Sequence, residues 1–298
     1  MKWFKQNKLL CFTIITAIYC MMIITFISLQ EKHIDKACQL IKEHDNKNAK
    51  IEIDKIFFID ELGQNKETVL MSACESGNTQ IIQYLLNKGA SPNKTIDGNL
   101  SPLEIYCKFG YKGGLKPLQE LLDHGAQQSL FSSKPAIFHL GENFKEMDEE
   151  EKKFATEMSI YLLTNGAPLT YKKETVLHLA AKGNMSELFD QIVHTREGLQ
   201  LLNSENNDKL TPWQTAVNSG SIGVQRVIRN LETEYSEIKE TENENNSTGD
   251  ALFDELLESG IVDIQKEDEI QENDDTEQNN KDKQEETKKG YYQELYGD

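Results

Sequence analysis

Five cysteines and six histidines are the side chains of this 298-residue chain best suited to nucleophilic, general-base or soft-metal chemistry. Nucleophilic catalysis needs a thiol or hydroxyl beside a base, and a zinc site needs ligands at short, paired spacings. Cys11, Cys20, Cys38, Cys74 and Cys107 include no C-x-x-C pair, and the histidines are scattered without metal-ligand spacing. The chain holds no G-x-x-x-x-G-K-[ST] loop, no H-E-x-x-H and no G-x-S-x-G. No catalytic residue, cofactor site, metal site or small-molecule substrate is expected. Cys11 and Cys20 lie in an apolar stretch, and the other three are too few and too widely spaced for a disulfide framework.

The charge points the same way. Between Glu232 and Asp298 there are 23 Asp and Glu against 6 Lys and Arg, a net of -17, so residues 1–231 carry only -1 of the total -18. A body this close to neutral has no basic face to neutralise phosphates, which excludes nucleic acid as the expected partner. Residues 232–298 are poor in apolar side chains and are expected to be disordered, because too little surface is available to offset chain entropy. Within them, Ala251–Glu258 places Leu252, Phe253, Leu256 and Leu257 on one stripe as a candidate docking helix. Tyr291, Tyr292, Leu295 and Tyr296 form a second small candidate.

Leu9–Leu29 is 21 residues without a charge, eleven of them Leu, Ile or Phe. As a helix rising 1.5 Å per residue it is long enough for a hydrocarbon core of about 30 Å. Those eleven contribute roughly -3 to -7 kcal/mol to insertion. The run is longer than a typical signal core, and no A-x-A-like cleavage site follows it, so an uncleaved single-pass anchor is expected. Lysines flank it on both sides, which leaves orientation open.

A period of about 33 residues organises the middle of the chain. The pattern reads TVLMSACESG from Thr68, SPLEIYCKFG from Ser101 and a degraded KPAIFHLGEN from Lys134. It returns as TVLHLAAKG from Thr175 and TPWQTAVNSG from Thr211. A second pattern, a short apolar helix ending in Gly-Ala, closes at Ala90, Ala126 and Ala167. Thr or Ser before the apolar run can cap a helix, Pro at its first turn loses no hydrogen bond, and Gly at the far end suits a left-handed turn. These linked motifs resemble the ankyrin-repeat family, whose signature is T-P-L-H-x-A. The resemblance covers about residues 60–231 and implies an all-α solenoid of about five helix pairs with a degenerate third repeat. The whole chain then reads as a basic flank (1–8), a transmembrane helix (9–29), linker and capping helices (30–66), repeats (67–231) and an acidic tail (232–298). In the capping segment, Ile34, Ala37, Cys38 and Ile41 are expected on one helix face.

The resemblance also implies roles. His178, at the motif histidine, is expected to bond neighbouring backbone. Cys74 and Cys107, at the second small position, are expected to be inert core thiols, and Trp213 a packing residue. Such repeats bind proteins through turn tips and the end of the first helix. Carried over position by position, this gives Glu67, Glu75, Ser76, Leu100, Lys108, Phe109, Glu174, Leu210, Asn218 and Ser219 as partner-binding residues, with Asn65, Asp97, Lys172 and Asp208 at the turns. Departures from the motif predict irregular stacking around an insertion at 141–158, one residue lost before Gly183, and a frayed or capping last unit. The function expected is a membrane-tethered module that binds a protein partner. The alternative is a secreted effector whose amino segment is cleaved.

Overall fold

The computed structural model describes residues 8–95, 100–128, 134–231 and 233. The acidic tail with its two candidate docking motifs, the turn residue Asp97 and the first seven residues lie outside them.

The first helix, α1, runs unbroken from Lys8 to Lys42. It joins the apolar stretch directly to the capping segment, so no linker separates them. Between Phe12 and Leu29 the side chains are exposed, and this is the one helix among the described residues long and apolar enough to cross a membrane. Length and composition would fit a signal sequence equally. From Gln30 onward α1 becomes a packing helix: Ile34, Ala37, Cys38 and Ile41 are buried on one face, as the pattern predicts. With α2 (Asn46–Ile53) this half of α1 makes a helix pair.

Five further pairs lie among the described residues. They are α3 (Val69–Glu75) with α4 (Thr79–Asn87), α5 (Pro102–Ile105) with α6 (Leu115–Asp123), and α7 (Ala136–Gly141) with α8 (Glu149–Thr164). Next come α9 (Val176–Gly183) with α10 (Ser186–Val193), a short α11 (Arg196–Gln200), and α12 (Pro212–Asn218) with helical residues 222–231. The first helices pack in a row, α1–α3–α5–α7–α9–α12, and the second helices form a parallel row, α2–α4–α6–α8–α10. A single pair cannot bury its apolar face alone, so each depends on its neighbours. One hydrophobic core runs from Ile34 to Leu231.

The motif residues set the local structure. Thr68, Ser101, Thr175 and Thr211 each cap a first helix by accepting from the backbone N–H three residues on. The last three complete reciprocal capping boxes with Glu104, His178 and Gln214, each cap contributing about 1 kcal/mol. Pro135 has no side chain to offer, so α7 begins uncapped. Gly89, Gly125 and Gly166 adopt φ of +88°, +85° and +86° and end the second helices.

Two expectations need correction. The unit at Thr175 has lost no residue. Asn184, with φ of +54°, takes the left-handed position that Gly77 and Gly220 take elsewhere, while Gly183 is the last helical residue and packs against Phe144. Stacking is also not interrupted at 141–158. Phe144 and Met147 are buried there, and Asp148 starts α8 with a capping box to Glu151. The inserted residues lengthen a second helix, which keeps α6 and α10 as neighbours.

The irregular helix is instead the one begun by α5. After Ile105 it widens into a π turn, Tyr106–Gly110, and a 3-10 turn, Tyr111–Gly113. The Tyr106 hydroxyl closes this bulge by donating to the Gly114 carbonyl at 2.5 Å. Gly110 touches the previous unit so closely that a methyl group on it would stand 1.9 Å from the Cys74 carbonyl oxygen. Its own φ and ψ, -96° and 0°, are open to alanine. Gly110→Ala is therefore expected to act through overpacking alone and to lower unfolding free energy by about 1–3 kcal/mol in a urea titration. An unchanged midpoint would show that the two helices yield at this contact.

Candidate protein-binding site

Two depressions lie along the side formed by the turn tips and the ends of the first helices. The first, of about 220 Å³, is lined by Lys66, Glu67, Met71, Glu75, Leu100, Ile105 and Phe109. Four of the ten partner-binding residues inferred from the repeat pattern, Glu67, Glu75, Leu100 and Phe109, meet here. The second, of about 760 Å³, brings Glu174 and Ser219 together with Phe138, Tyr171, Leu179 and the lysines at 134, 145, 172 and 182. Ser76, Lys108, Leu210 and Asn218 line neither. Ser76 is turned back on the Ala73 carbonyl, and the Leu210 backbone is tied into its turn by Asn206. Asn218 is exposed beside Ser219.

Phe109 projects from the π turn and is 50% exposed, with the Lys108 ammonium 5.4 Å from its ring centre. The extra width of the turn separates it from Gly110, which must face inward against Cys74. Glu67 and Glu75 are not free anions. The Lys42 ammonium of α1 bridges both at 3.1 Å. Burial alone would lower the Lys42 pKa, but hydrogen bonds to Glu75 and Glu67 hold it above the ordinary lysine value. Lys42 lies one period, 33 residues, before Glu75, but on the capping helix ahead of Thr68, where the motif itself is not written.

In the second depression, Lys182 pairs with Glu174 at 2.7 Å and Lys134 pairs with Glu142. Burial would raise the Glu142 carboxyl, yet Lys134 and Lys108 beside it bring it below the usual range. The Phe138 and Tyr171 rings meet at a tilt of 53°, 5.7 Å between centroids. Tyr171 comes from a two-residue strand, β1 (Thr170–Tyr171), paired antiparallel with β2 (Glu174–Thr175), and Lys172 makes the turn with φ of +56°. Lys134 and Lys145 occupy neither a turn nor a post-small-pair position, whereas Lys182 does follow the small pair Ala180–Ala181 and is a site residue that the position-by-position inference omitted.

The turn tips are held by the neighbouring units. His178 is fully buried and its Nε2–H donates to the Leu210 carbonyl of the next unit at 2.8 Å, while Nδ1 faces the Thr175 hydroxyl at 2.8 Å. This is the structural role that the motif implies. Cys74 and Cys107 are buried, and burial pushes both thiols well up, as it pushes Cys38 up to about 12. Thiols in that state are not nucleophiles at neutral pH. Among the described residues no group of three or more His, Cys, Asp or Glu side chains converges as a metal site.

This geometry, stacked helix pairs with tied turn tips and a grooved flank, is that of an ankyrin-repeat fold. The family model described as ankyrin repeats (3 copies) matches residues 25–131, which span the first three helix pairs. The chain is similar to the crystal structure of the human ASB11 ankyrin repeat domain, at TM-score 0.52 and 18% identity, over 65% of this chain and 82% of that one. It is also similar to an ankyrin repeat domain from Acinetobacter baumannii AYE, at TM-score 0.50 and 20% identity, over 64% and 95% of the two chains. Among curated proteins none matches this chain. The family model and the solved structures together support an ankyrin-repeat fold, and ankyrin repeats suggest a protein–protein interaction module.

Burial lowers the pKa of His178, and it lowers that of His139 together with the nearby Lys134 charge. The unfolded chain therefore takes up protons below the ordinary histidine value of 6.5 that the folded chain resists. Stability is present above that pH and is lost as pH falls through the lowered values. The expected slope is up to about 1.4 kcal/mol per pH unit for each histidine. Chemical denaturation between pH 7 and 5 should show this decline, and His178→Gln should flatten it. An equal slope in the variant would assign the decline elsewhere.

Proposed function

We propose that this chain is a membrane-tethered recognition module that holds a protein partner against the flank of its repeat stack. The observation that carries the reading is the convergence of Phe109, Leu100, Ile105 and Met71 with the Lys42-bridged pair Glu67 and Glu75 in one open depression. A half-exposed aromatic ring in an apolar recess with a charged rim matches the anatomy of an interface hot spot. The second depression extends the same flank with an aromatic pair and lysines. The ten residues inferred from the repeat pattern supply the contact set, with Phe109 and Leu100 as its apolar anchors. Recognition proceeds by surface complementarity, and no bond is made or broken.

The tether is supported by α1. Its apolar half is continuous with the helix that carries Ile34 to Lys42, so an anchor in the bilayer is rigidly joined to the first repeat. The anchor is single-pass, through residues 9–29.

The test uses the full chain in detergent-solubilised membranes. Partners recovered with the wild type should be depleted about tenfold or more by Phe109→Asp, equivalent to about 1.4 kcal/mol or more, with unchanged circular dichroism. Ile222→Asp, an equally exposed apolar position outside both depressions, should leave recovery unchanged. Equal recovery across the three proteins would remove the depression as the binding site. Release of the chain from membranes by alkaline carbonate, or a mature mass lacking residues 1–29, would instead remove the tether.

A further inference from the structure

Outside the depressions, the most conspicuous unexplained feature is the loop after α2. Ile56, Phe57, Phe58 and Ile59 are four consecutive apolar residues. Ile56 and Ile59 turn inward and pack on the core, whereas Phe57 and Phe58 point outward, 74% and 52% exposed. Exposing two adjacent phenylalanines to water is unfavourable, and such patches mark contact surfaces.

The loop is pinned to α1 at a definite height. The Phe57 N–H donates to Gln30 Oε1 at 2.6 Å, and Gln30 Nε2 reaches the Lys55 carbonyl at 3.5 Å. Gln30 itself is buried. The Phe57 and Phe58 rings meet edge to face at 4.9 Å, and each meets Phe26 of α1 in the same manner, at 6.2 and 6.5 Å. On the other side of Gln30 the chemistry changes. His33 and Lys55 both pair with Glu52 at 2.8 Å. An aromatic cluster and a charged cluster are thus separated by about two turns of one helix, with Gln30 between them.

Phe26 sits three residues before Leu29, the last residue of the apolar stretch, or about 4.5 Å along a helix. If residues 9–29 fill a hydrocarbon core, Phe26 lies inside its boundary. Rings in contact with Phe26 then cannot lie in bulk water.

We infer that Phe57 and Phe58 form a second membrane contact, a loop that dips into the headgroup and acyl-chain boundary of a lipid bilayer beside α1. The occupant of this patch is lipid, and the inference rests on the reading of residues 9–29 as a span. Its consequence is that the first repeat lies directly against the bilayer. Two points of contact, the helix and the loop, fix how the stack is rotated about the α1 axis, where a helix alone would leave that rotation free. Glu52 and its partners Lys55 and His33 fall on the aqueous side, where an ion pair keeps its hydration.

The experiment places a reporter in the loop of the full-length chain. Phe57→Trp is reconstituted in vesicles of phosphatidylcholine and phosphatidylglycerol, with acyl chains brominated at shallow or deep positions. The wild-type signal, from Trp3 and Trp213, is subtracted, and Ile222→Trp serves as a water-facing reference. The expected result is a blue-shifted emission for Phe57→Trp, with quenching by shallow bromines several-fold stronger than for Ile222→Trp. A chain that floats with the vesicles but whose Phe57→Trp signal is quenched no more than that of Ile222→Trp overturns the loop contact and leaves the span standing. A chain that does not float overturns the span itself. Phe58→Trp, read in the same way, guards against a local misfolding of the first variant.

Discussion

The structure depends on how closely neighbouring first helices can approach. In several units small side chains, or none, stand where a first helix meets its neighbour. Gly110 abuts the Cys74 carbonyl, Gly141 abuts Leu179, and Gly183 abuts Phe144, each at a distance that leaves no room for a methyl group. Ala73, Ala180, Ala181 and Ala216, earlier in the first helices, are fully buried. Contacts of this kind gain dispersion energy over a long seam, and one misplaced methylene is felt along it. The tight seam also decides what is left outside. When Gly110 is committed inward, Phe109 is turned out onto the flank.

A second system holds the turn tips. Successive units are joined by hydrogen bonds between a side chain of one and a polar group, in most cases a backbone group, of the next. Asn78 reaches Asn46, the Ser91 N–H reaches Asp60, and Asn93 both donates to Gly125 and accepts from Gln127. Asn143 reaches Lys108, His178 reaches Leu210 and Ser221 reaches Ala181. The loops are therefore not independent of the stack. Side chains presented from tied tips lose less conformational freedom on binding than those on loose loops, which favours a flank made in this way as a recognition surface.

The helix that begins the chain links this surface to its apolar end. Because α1 is continuous through Gln30, one element supplies exposed apolar residues, the first core face and Lys42, which bridges Glu67 and Glu75 at the first depression. In the tethered reading, the anchor and the recognition surface are parts of one rigid body. Displacement of the stack relative to the bilayer would have to bend α1 or lift the Phe57–Phe58 loop.

The features legible in the sequence were those encoded within a few residues. Thr68, Ser101, Thr175 and Thr211 announced the helix starts, Gly89, Gly125 and Gly166 the helix ends, and the 33-residue spacing the stacked fold, because caps and left-handed turns are local backbone chemistry. The face Ile34–Ala37–Cys38–Ile41 came from helical period alone. The features that escaped depended on neighbours distant in sequence. That position 183 must be glycine is decided by Phe144, which fills the space beside it. That residues 141–158 join the stack is decided by burial of Phe144 and Met147 among other units. The pairing of Lys42 with Glu67 and Glu75, and the meeting of Phe57 and Phe58 with Phe26, were likewise set only when helices distant in sequence packed together. A repeat pattern specifies the shape of each unit; the surface between units exists only after they have packed.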